Sequence, residues 1–199
     1  MIRDIVFDIG RVIVGIRPEP MLEFLVSRGA PRLDLNATLE RVGLIDHETG
    51  RIDGAGLIER FRVLAPQASA AELRQQWLNI FYPHENMIQL AHQLTAHHGV
   101  YLLSNVGDLH WDHMVTRYRV DGIGHGALPS FQAGVMKPHS AIYQQAERKF
   151  ALTAATTVFV DDRGENIEAA RARGWHGIVH RNFHDTREAL LRLGVEAAR

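Results

Sequence analysis

The chain contains no cysteine. Disulfides and thiolate metal sites are therefore excluded, and redox chemistry does not fix the compartment. It also lacks an apolar run long enough to span a bilayer, and no positively charged stretch followed by a long apolar segment opens it. The expectation is a cytoplasmic protein with no membrane partner. No sign of charge dominates. A formal net charge of -1 gives no electrostatic reason to expect nucleic acid or an anionic membrane. Internal repeats and low-complexity segments are absent too, so the chain reads as one domain, or one domain with a substantial insertion. What it does have is 46% hydrophobic residues over a length of 199, enough to expect a packed core rather than disorder.

The stretch that organises the rest lies near the start. Ile5-Val6-Phe7 is an apolar run of the kind found in a buried strand of a parallel sheet. It stops at Asp8, and Gly10 then lets the backbone turn tightly. An aspartate at the carboxyl end of such a strand stands where open α/β sheets bind ligands, and it can act there as a nucleophile or a metal ligand. A turn residue or helix cap is the alternative.

From Pro18 to Pro83 the pattern is helical and no strand is expected. Met21, Leu22, Leu25 and Val26 share one face, and Leu35, Leu39 and Val42 continue at helical spacing. Asp53 reads as an N-cap before Leu57, Ile58, Phe61 and Leu64, and Ser69 with Glu72 reads as a capping box before Leu73, Trp77 and Ile80. Beyond Pro83, helix and strand alternate. A helix through Met87 to Leu94 leads to a strand at Val100–Leu103 that stops at Ser104-Asn105. A helix over Leu109–Tyr118 is followed by glycine-rich turns, and Lys137-Pro138 opens a helix through Phe150. A strand at Thr157–Val160 stops at Asp161-Asp162. A helix ending at Gly174, a last strand at Trp175–Val179 and a helix capped by Asp185 complete the chain. This alternation implies a doubly wound parallel α/β sheet, with residues 1–15 and 84–199 as its core and 16–83 as an inserted helical bundle.

In a parallel sheet the strand ends share one edge, so Asp8, Ser104, Asn105, Lys137, Asp161 and Asp162 can converge although far apart in sequence. Together they offer a carboxylate, a hydroxyl with backbone N–H donors, a fixed ammonium and an acidic pair. Mg²⁺ suits the hard carboxylate oxygens, and a phosphoryl group suits the cation, the donors and an in-line nucleophile. The acidic pair would repel a phosphate unless a metal bridged them.

These blocks resemble the motifs of the haloacid dehalogenase-like hydrolase superfamily, most of whose members are phosphatases. Phe7-Asp8-Ile9-Gly10-Arg11-Val12 resembles its first motif and Leu103-Ser104-Asn105 its second. Met136-Lys137-Pro138 resembles the third, and Phe159-Val160-Asp161-Asp162 with Asn166 the fourth. The helical insertion is similar to the family's helical cap. The Asp-x-Gly and Leu-Ser-Asn forms are similar to the branch of small bacterial sugar-phosphate phosphatases. That branch includes glucose-1-phosphate phosphatases and is related to the phosphatase half of soluble epoxide hydrolases. The resemblance implies a Rossmann-like core and a small phosphorylated metabolite as substrate. It implies Asp8 as the nucleophile that becomes an aspartyl-phosphate. Mg²⁺ would be held by Asp8, the Gly10 carbonyl and Asp162, with Asp161 in support. Ser104 and the Asn105 N–H would hold the phosphoryl oxygens, and Lys137 would balance charge.

One departure stands out. Most phosphatases of this superfamily carry a second aspartate two residues after the nucleophile as acid and base, and here that position is Gly10. One reading is a phosphatase whose leaving group needs less help or that draws on another acid. The alternatives are a catalytically impaired phosphometabolite-binding or interaction protein and a dehalogenase, although the acidic pair argues against the last. His47 and Glu48, between helices of the insertion, are candidates for a substitute acid, with solvated turn residues as the plainer expectation. Arg11 could reach a second anionic group or pair with a surface carboxylate. His110 and His113 could share a metal only with a third ligand that the sequence does not supply. His97 and His98, like His176, His180 and His184, read as exposed or capping residues. Trp77 and Phe81 read as packing within the insertion, and His110 with Trp111 could reach its interface.

Overall fold

Short apolar runs build the centre of the molecule. In the computed structural model, which describes residues 1–196, they form a five-stranded parallel sheet. In chain order the elements are β1 (Asp4–Phe7), β2 (Val14–Ile16), α1 (Glu19–Ser27), α2 (Leu35–Arg41), α3 (Leu44–Glu48), α4 (Gly54–Leu64), α5 (Ala70–Leu78) and β3 (Phe81–Pro83). Then follow α6 (Glu85–Leu94), β4 (Gly99–Ser104), α7 (Asp108–Tyr118), β5 (Gly126–Pro129), α8 (Ser130–Ala133) and α9 (Ser140–Phe150). The last are β6 (Thr157–Asp161), α10 (Gly164–Arg171), β7 (His176–Val179) and α11 (Phe183–Arg192).

The sheet order is β5-β4-β1-β6-β7, with β1 in the middle. Side chains on a strand alternate between faces. Ile5 and Phe7 accordingly enter one layer with Leu90 and Leu94 of α6 and Leu190 of α11. Val6 enters the other with Ile142 and Tyr143 of α9 and Ile167 of α10. Both faces are covered, which is why these strands are continuously apolar. The register sets Phe7 level with Leu102 of β4 on one side and Val160 of β6 on the other.

Helices α1–α5 bury a separate cluster around Leu57, Phe61, Leu73 and Trp77, which Leu109 of α7 enters from the sheet side. The expected caps hold: the Asp53 side chain accepts from Gly56 N–H, and Ser69 and Glu72 form a reciprocal capping box. Each such cap is worth about 0.5–2 kcal/mol.

Four local readings are corrected. The span from Pro18 to Pro83 is not free of strand: Phe81–Pro83 pairs antiparallel with Val14–Ile16, so a two-stranded ribbon ties both ends of the insertion together. The glycine-rich turns after Tyr118 contain β5, an edge strand whose Pro129 is tolerable because the edge has an unpaired side. The helix after Lys137-Pro138 starts only at Ser140, with His139 as its cap, so Lys137 lies in the preceding turn. The last helix is capped by Asn182, whose side chain accepts the Asp185 N–H; Asp185 is inside the first turn.

Several contacts fasten the insertion to the sheet domain. Ser130 Oγ donates to the Glu48 carbonyl at 2.5 Å and accepts from Val106 N–H at 2.9 Å. Gly54 N–H donates to Asp108 at 3.2 Å, and His110 Nε2 meets the Trp77 carbonyl at 3.0 Å. The buried His47 ring packs on Gly107, where a Cβ would lie 2.1 Å from Nε2. Gly107→Ala is therefore expected to overpack this junction and cost about 1–3 kcal/mol, read as a lowered urea midpoint. An unchanged midpoint would mean that the imidazole can move aside freely.

Candidate functional site

The parallel register brings the motif residues together. One residue beyond Phe7, Asp8 leaves β1 between the ends of β4 and β6, and its N–H donates to the Val160 carbonyl at 2.8 Å. Lys137 arrives from the turn before α9. The Asn105 side chain grips its backbone on both sides, accepting from Lys137 N–H at 2.8 Å and donating to Lys137 C=O at 2.9 Å. The Asn105 side chain is thus committed to holding Lys137.

Lys137 is 4% exposed, and its ammonium sits between two carboxylates, 2.9 Å from Asp8 Oδ1 and 2.7 Å from Asp161 Oδ2. Its third donor goes to the Leu103 carbonyl at 2.8 Å. Asp161 is fully buried and fully engaged: besides Lys137 it accepts from Arg163 N–H at 2.8 Å and from the Asn166 amide at 2.9 and 3.0 Å. Asp8 Oδ1 also accepts from Ile9 N–H at 2.6 Å. Its other oxygen, Oδ2, receives no hydrogen bond among the described residues and is available to a ligand.

Burial raises the Asp8 pKa above the usual carboxylate range; Lys137 opposes this, and the charges of Asp161 and Asp162 add to it. Asp162 is raised for similar reasons, first burial and then the Asp161 charge. Burial works against the Lys137 ammonium, but Asp8 and Asp161 together outweigh it and hold its pKa above normal. The centre therefore carries more negative charge than its one buried cation balances.

That excess fits a divalent cation. Asp8, Asp161 and Asp162 each present a carboxylate oxygen, all within 4.8 Å of one another. The Gly10 carbonyl accepts no hydrogen bond among the described residues, because the tight turn spends its bonds on Ile9 and Val14. Hard oxygens around excess negative charge are the donor set Mg²⁺ takes, although those of Asp161 are already engaged by Lys137, Arg163 N–H and Asn166.

A cavity of about 270 Å³ opens from this centre towards the helical insertion, lined at one end by Asp8, Ser104, Asn105, Lys137 and Asp162. The Ser104 hydroxyl has no hydrogen bond within the protein among the described residues. The far walls are apolar: Leu35 and Leu39 of α2, Leu44 of α3, Trp77 and Ile80 near the end of α5, and Met114 of α7.

Glu48 lines the same cavity. It is not a solvated turn residue but the last residue of α3, half-buried. Its pKa is pushed up to about 7, chiefly by burial and next by the Asp8 charge, with Lys137 and Arg163 opposing. His47 beside it points elsewhere, into the junction with Gly107, and burial lowers its pKa, with the Asp108 charge opposing.

The remaining candidates fall outside the chemistry. His110 stacks on Trp77 with centroids 4.3 Å apart, and burial pushes its pKa down to about 3. It does reach the interface with the insertion, and among the described residues it falls in no cluster of three metal-ligating side chains with His113. His180 is buried, not exposed, with Nδ1 2.8 Å from the Thr186 hydroxyl. His176 and His184 are exposed. Trp77 packs on Phe61 and also faces the cavity. Arg11 adopts a left-handed backbone at φ 60° and lies half in solvent with Nε 3.9 Å from Asp162, so the carboxylate it approaches belongs to the site itself. Ser130 was not legible as a site-forming residue: a lone serine after Pro129 carries no sequence signal of its two-sided bonding.

No family model matches the sequence. A D-ribitol-5-phosphate phosphatase from Bacteroides thetaiotaomicron is 25% identical over 206 residues, spanning 96% of this chain and 97% of that protein. A sesquiterpene phosphatase from Aspergillus oryzae is 23% identical over 176 residues, 87% of each chain. Among solved structures, a haloacid dehalogenase family enzyme from Bacteroides thetaiotaomicron, in complex with magnesium and inorganic phosphate, superposes with a TM-score of 0.83. It is 21% identical, and the match covers 91% of this chain and 95% of that one.

Proposed function

We propose that this chain, which has the fold of the haloacid dehalogenase-like enzymes, is a Mg²⁺-dependent phosphatase acting on a small phosphorylated metabolite. The single observation that carries the reading is the buried Asp8–Lys137–Asp161 cluster, which opens to a cavity that Asp162 also lines. Asp8 Oδ2 attacks phosphorus in line, the bond to the ester oxygen breaks, and the phosphoryl group rests on Asp8 until water releases it. Ile9 N–H and Lys137 hold the other Asp8 oxygen, so the nucleophile keeps one orientation through both steps. Ser104 and the Asn105 N–H bind the phosphoryl oxygens, and Lys137 offsets charge on them. Asp8, the Gly10 carbonyl and Asp162 would hold Mg²⁺, which when bound supplies charge neutralisation for the phosphoryl oxygens. Asp161 acts through Lys137 and Asn166 rather than on substrate. Helices α1–α5 serve as a cap over residues 1–15 and 84–199, excluding water and reading the alcohol.

The resemblance in sequence implied sugar phosphates. The apolar far walls favour an alcohol with a hydrocarbon body, because such walls leave polyol hydroxyls without hydrogen-bond partners. Phosphate release should be measured across prenyl, alkyl, aryl and polyol phosphates, with Mg²⁺ and with EDTA. Turnover that EDTA abolishes is expected, with apolar esters ahead of polyol esters. Asp162→Ala is expected to raise the Mg²⁺ requirement at least about 10-fold, as for loss of a metal-supporting group. Turnover indifferent to EDTA would overturn the metal assignment. Binding of Mg²⁺ and phosphate without turnover of any ester would favour the binding-protein reading that Gly10 raises.

A further inference from the structure

We propose that Glu48, reaching the cavity from the helical insertion, is the proton donor and acceptor that replaces the aspartate missing at position 10. This rests on the phosphatase reading above and assigns one more group within the same site. Three observations carry it. First, Glu48 lines the cavity that Asp8 and Lys137 floor, and its carboxylate has no hydrogen bond or ion pair among the described residues. Second, its backbone is fixed from the opposite domain: Ser130 Oγ bonds its carbonyl at 2.5 Å while also holding Val106 N–H, two residues beyond Ser104. At Gly50 a Cβ would come within 2.5 Å of the Phe131 carbonyl, so the chain just after Glu48 is packed backbone to backbone on the same turn. Third, the cavity's other carboxyl, amine and imidazole groups are committed. Lys137 is charged and shared between Asp8 and Asp161, Asp162 belongs with the metal donors, and His110 is neutral with Nε2 on the Trp77 carbonyl. Burial and the neighbouring Asp8 charge favour the protonated form of Glu48, while Lys137 and Arg163 limit that preference, so both forms are accessible near neutral pH.

The proton balance is simple. As Asp8 Oδ2 bonds to phosphorus, the bond from phosphorus to the ester oxygen breaks, and that oxygen takes the Glu48 proton and leaves as the alcohol. Water then attacks the phosphorus of the aspartyl-phosphate, Glu48 takes a proton from the water, and the bond to Asp8 breaks to free inorganic phosphate. An aspartate at position 10 is not excluded by the backbone. Gly10 is outside the left-handed region, and the nearest atom to an added Cβ is the movable Ile16 Cδ1 at 3.3 Å.

The test compares two esters in the Mg²⁺-loaded protein, p-nitrophenyl phosphate and the best alkyl phosphate of the panel. Their leaving groups differ in how much they need a proton. Glu48→Gln is nearly isosteric, and a thermal melt would check that it folds as the unaltered protein does. It is expected to lower alkyl phosphate turnover about 10²–10⁴-fold and p-nitrophenyl phosphate turnover less than about 10-fold. Gly10→Asp added to Glu48→Gln is expected to restore alkyl turnover at least about 10-fold, since it returns an acid to the site. Equal losses on both esters, or no loss on either, would overturn the assignment. If Glu48→Gln did not fold, Glu48→Ala would take its place, with the same selective loss expected and the same equal or absent loss overturning the assignment. No turnover of either ester by the unaltered protein would remove the phosphatase reading and this assignment with it.

Discussion

Replacing Asp8 with asparagine is expected to lower phosphate release by about 10⁴-fold or more, the scale seen when a nucleophile is removed from an otherwise intact site. The amide keeps the shape, so Ile9 N–H and Lys137 retain an oxygen to bond, and the fold should survive. Stability should move in the opposite direction from activity. A carboxyl whose folded pKa is raised contributes stability below its unfolded pKa and loses it as pH rises through the folded value. Asp8 is such a group, raised by burial and by the Asp161 and Asp162 charges. Above that window its ionised form strains the metal-free protein. Asp8→Asn removes the charge, so metal-free melting at pH 8 should be no lower than for the unaltered protein. The further stabilisation by added Mg²⁺ should shrink. Full activity in Asp8→Asn would sink the mechanism. A large fall in melting temperature would show that the Asp8 charge is needed for the Lys137 cluster to hold.

Lys137→Met should produce the largest loss of stability. Methionine keeps most of the side-chain volume, so the change reads the charge rather than a cavity. It leaves Asp8 and the fully buried Asp161 facing each other without the cation between them. Removing one partner from a buried ion pair costs about 3–5 kcal/mol, because the remaining charges are stranded. The penalty should lessen on acidification from pH 8 to pH 5, as Asp8 takes up a proton, and also on adding Mg²⁺. Turnover should fall as well, about 10²–10³-fold for a lost charge contact in the transition state. Urea melts at the two pH values and initial rates at saturating Mg²⁺ would decide. A penalty independent of pH would mean that the stem of Lys137, rather than its ammonium, does the structural work.

The parts that were legible in the sequence are local. Short apolar runs that stop at Asp8, Ser104 and Asp161 mark strands and their ends, because a strand buried on both faces has no room for polar side chains until it emerges. Asp53, Ser69 and Glu72 mark helix starts because capping needs only residues three apart. Other features left no such trace. The strands Val14–Ile16 and Phe81–Pro83 are too short to show a period, and their pairing joins residues far apart in the chain. The edge strand at Gly126–Pro129 has the composition of a turn, and only its place beside β4 makes it a strand.

Glu48 shows the limit most clearly. Its helix is five residues long, too short for an amphipathic pattern, so the sequence favoured a solvated turn residue over an acid. What fixes its backbone is the tie from Ser130 and the close approach of Gly50 to Phe131, both from α8 on the sheet side. The sequence by itself determined which chemical groups stand at the strand ends and in what order, since apolar periodicity is written residue by residue. Only the tertiary structure decided which of their atoms are free: it spends Asn105 and Asp161 on holding Lys137, and leaves Asp8 Oδ2, Ser104, the Gly10 carbonyl and Glu48 open to the cavity or the metal donors. Hydrogen-bond capacity is shared between partners distant in sequence, and the parallel register that pairs them is set by packing on both faces of the sheet at once.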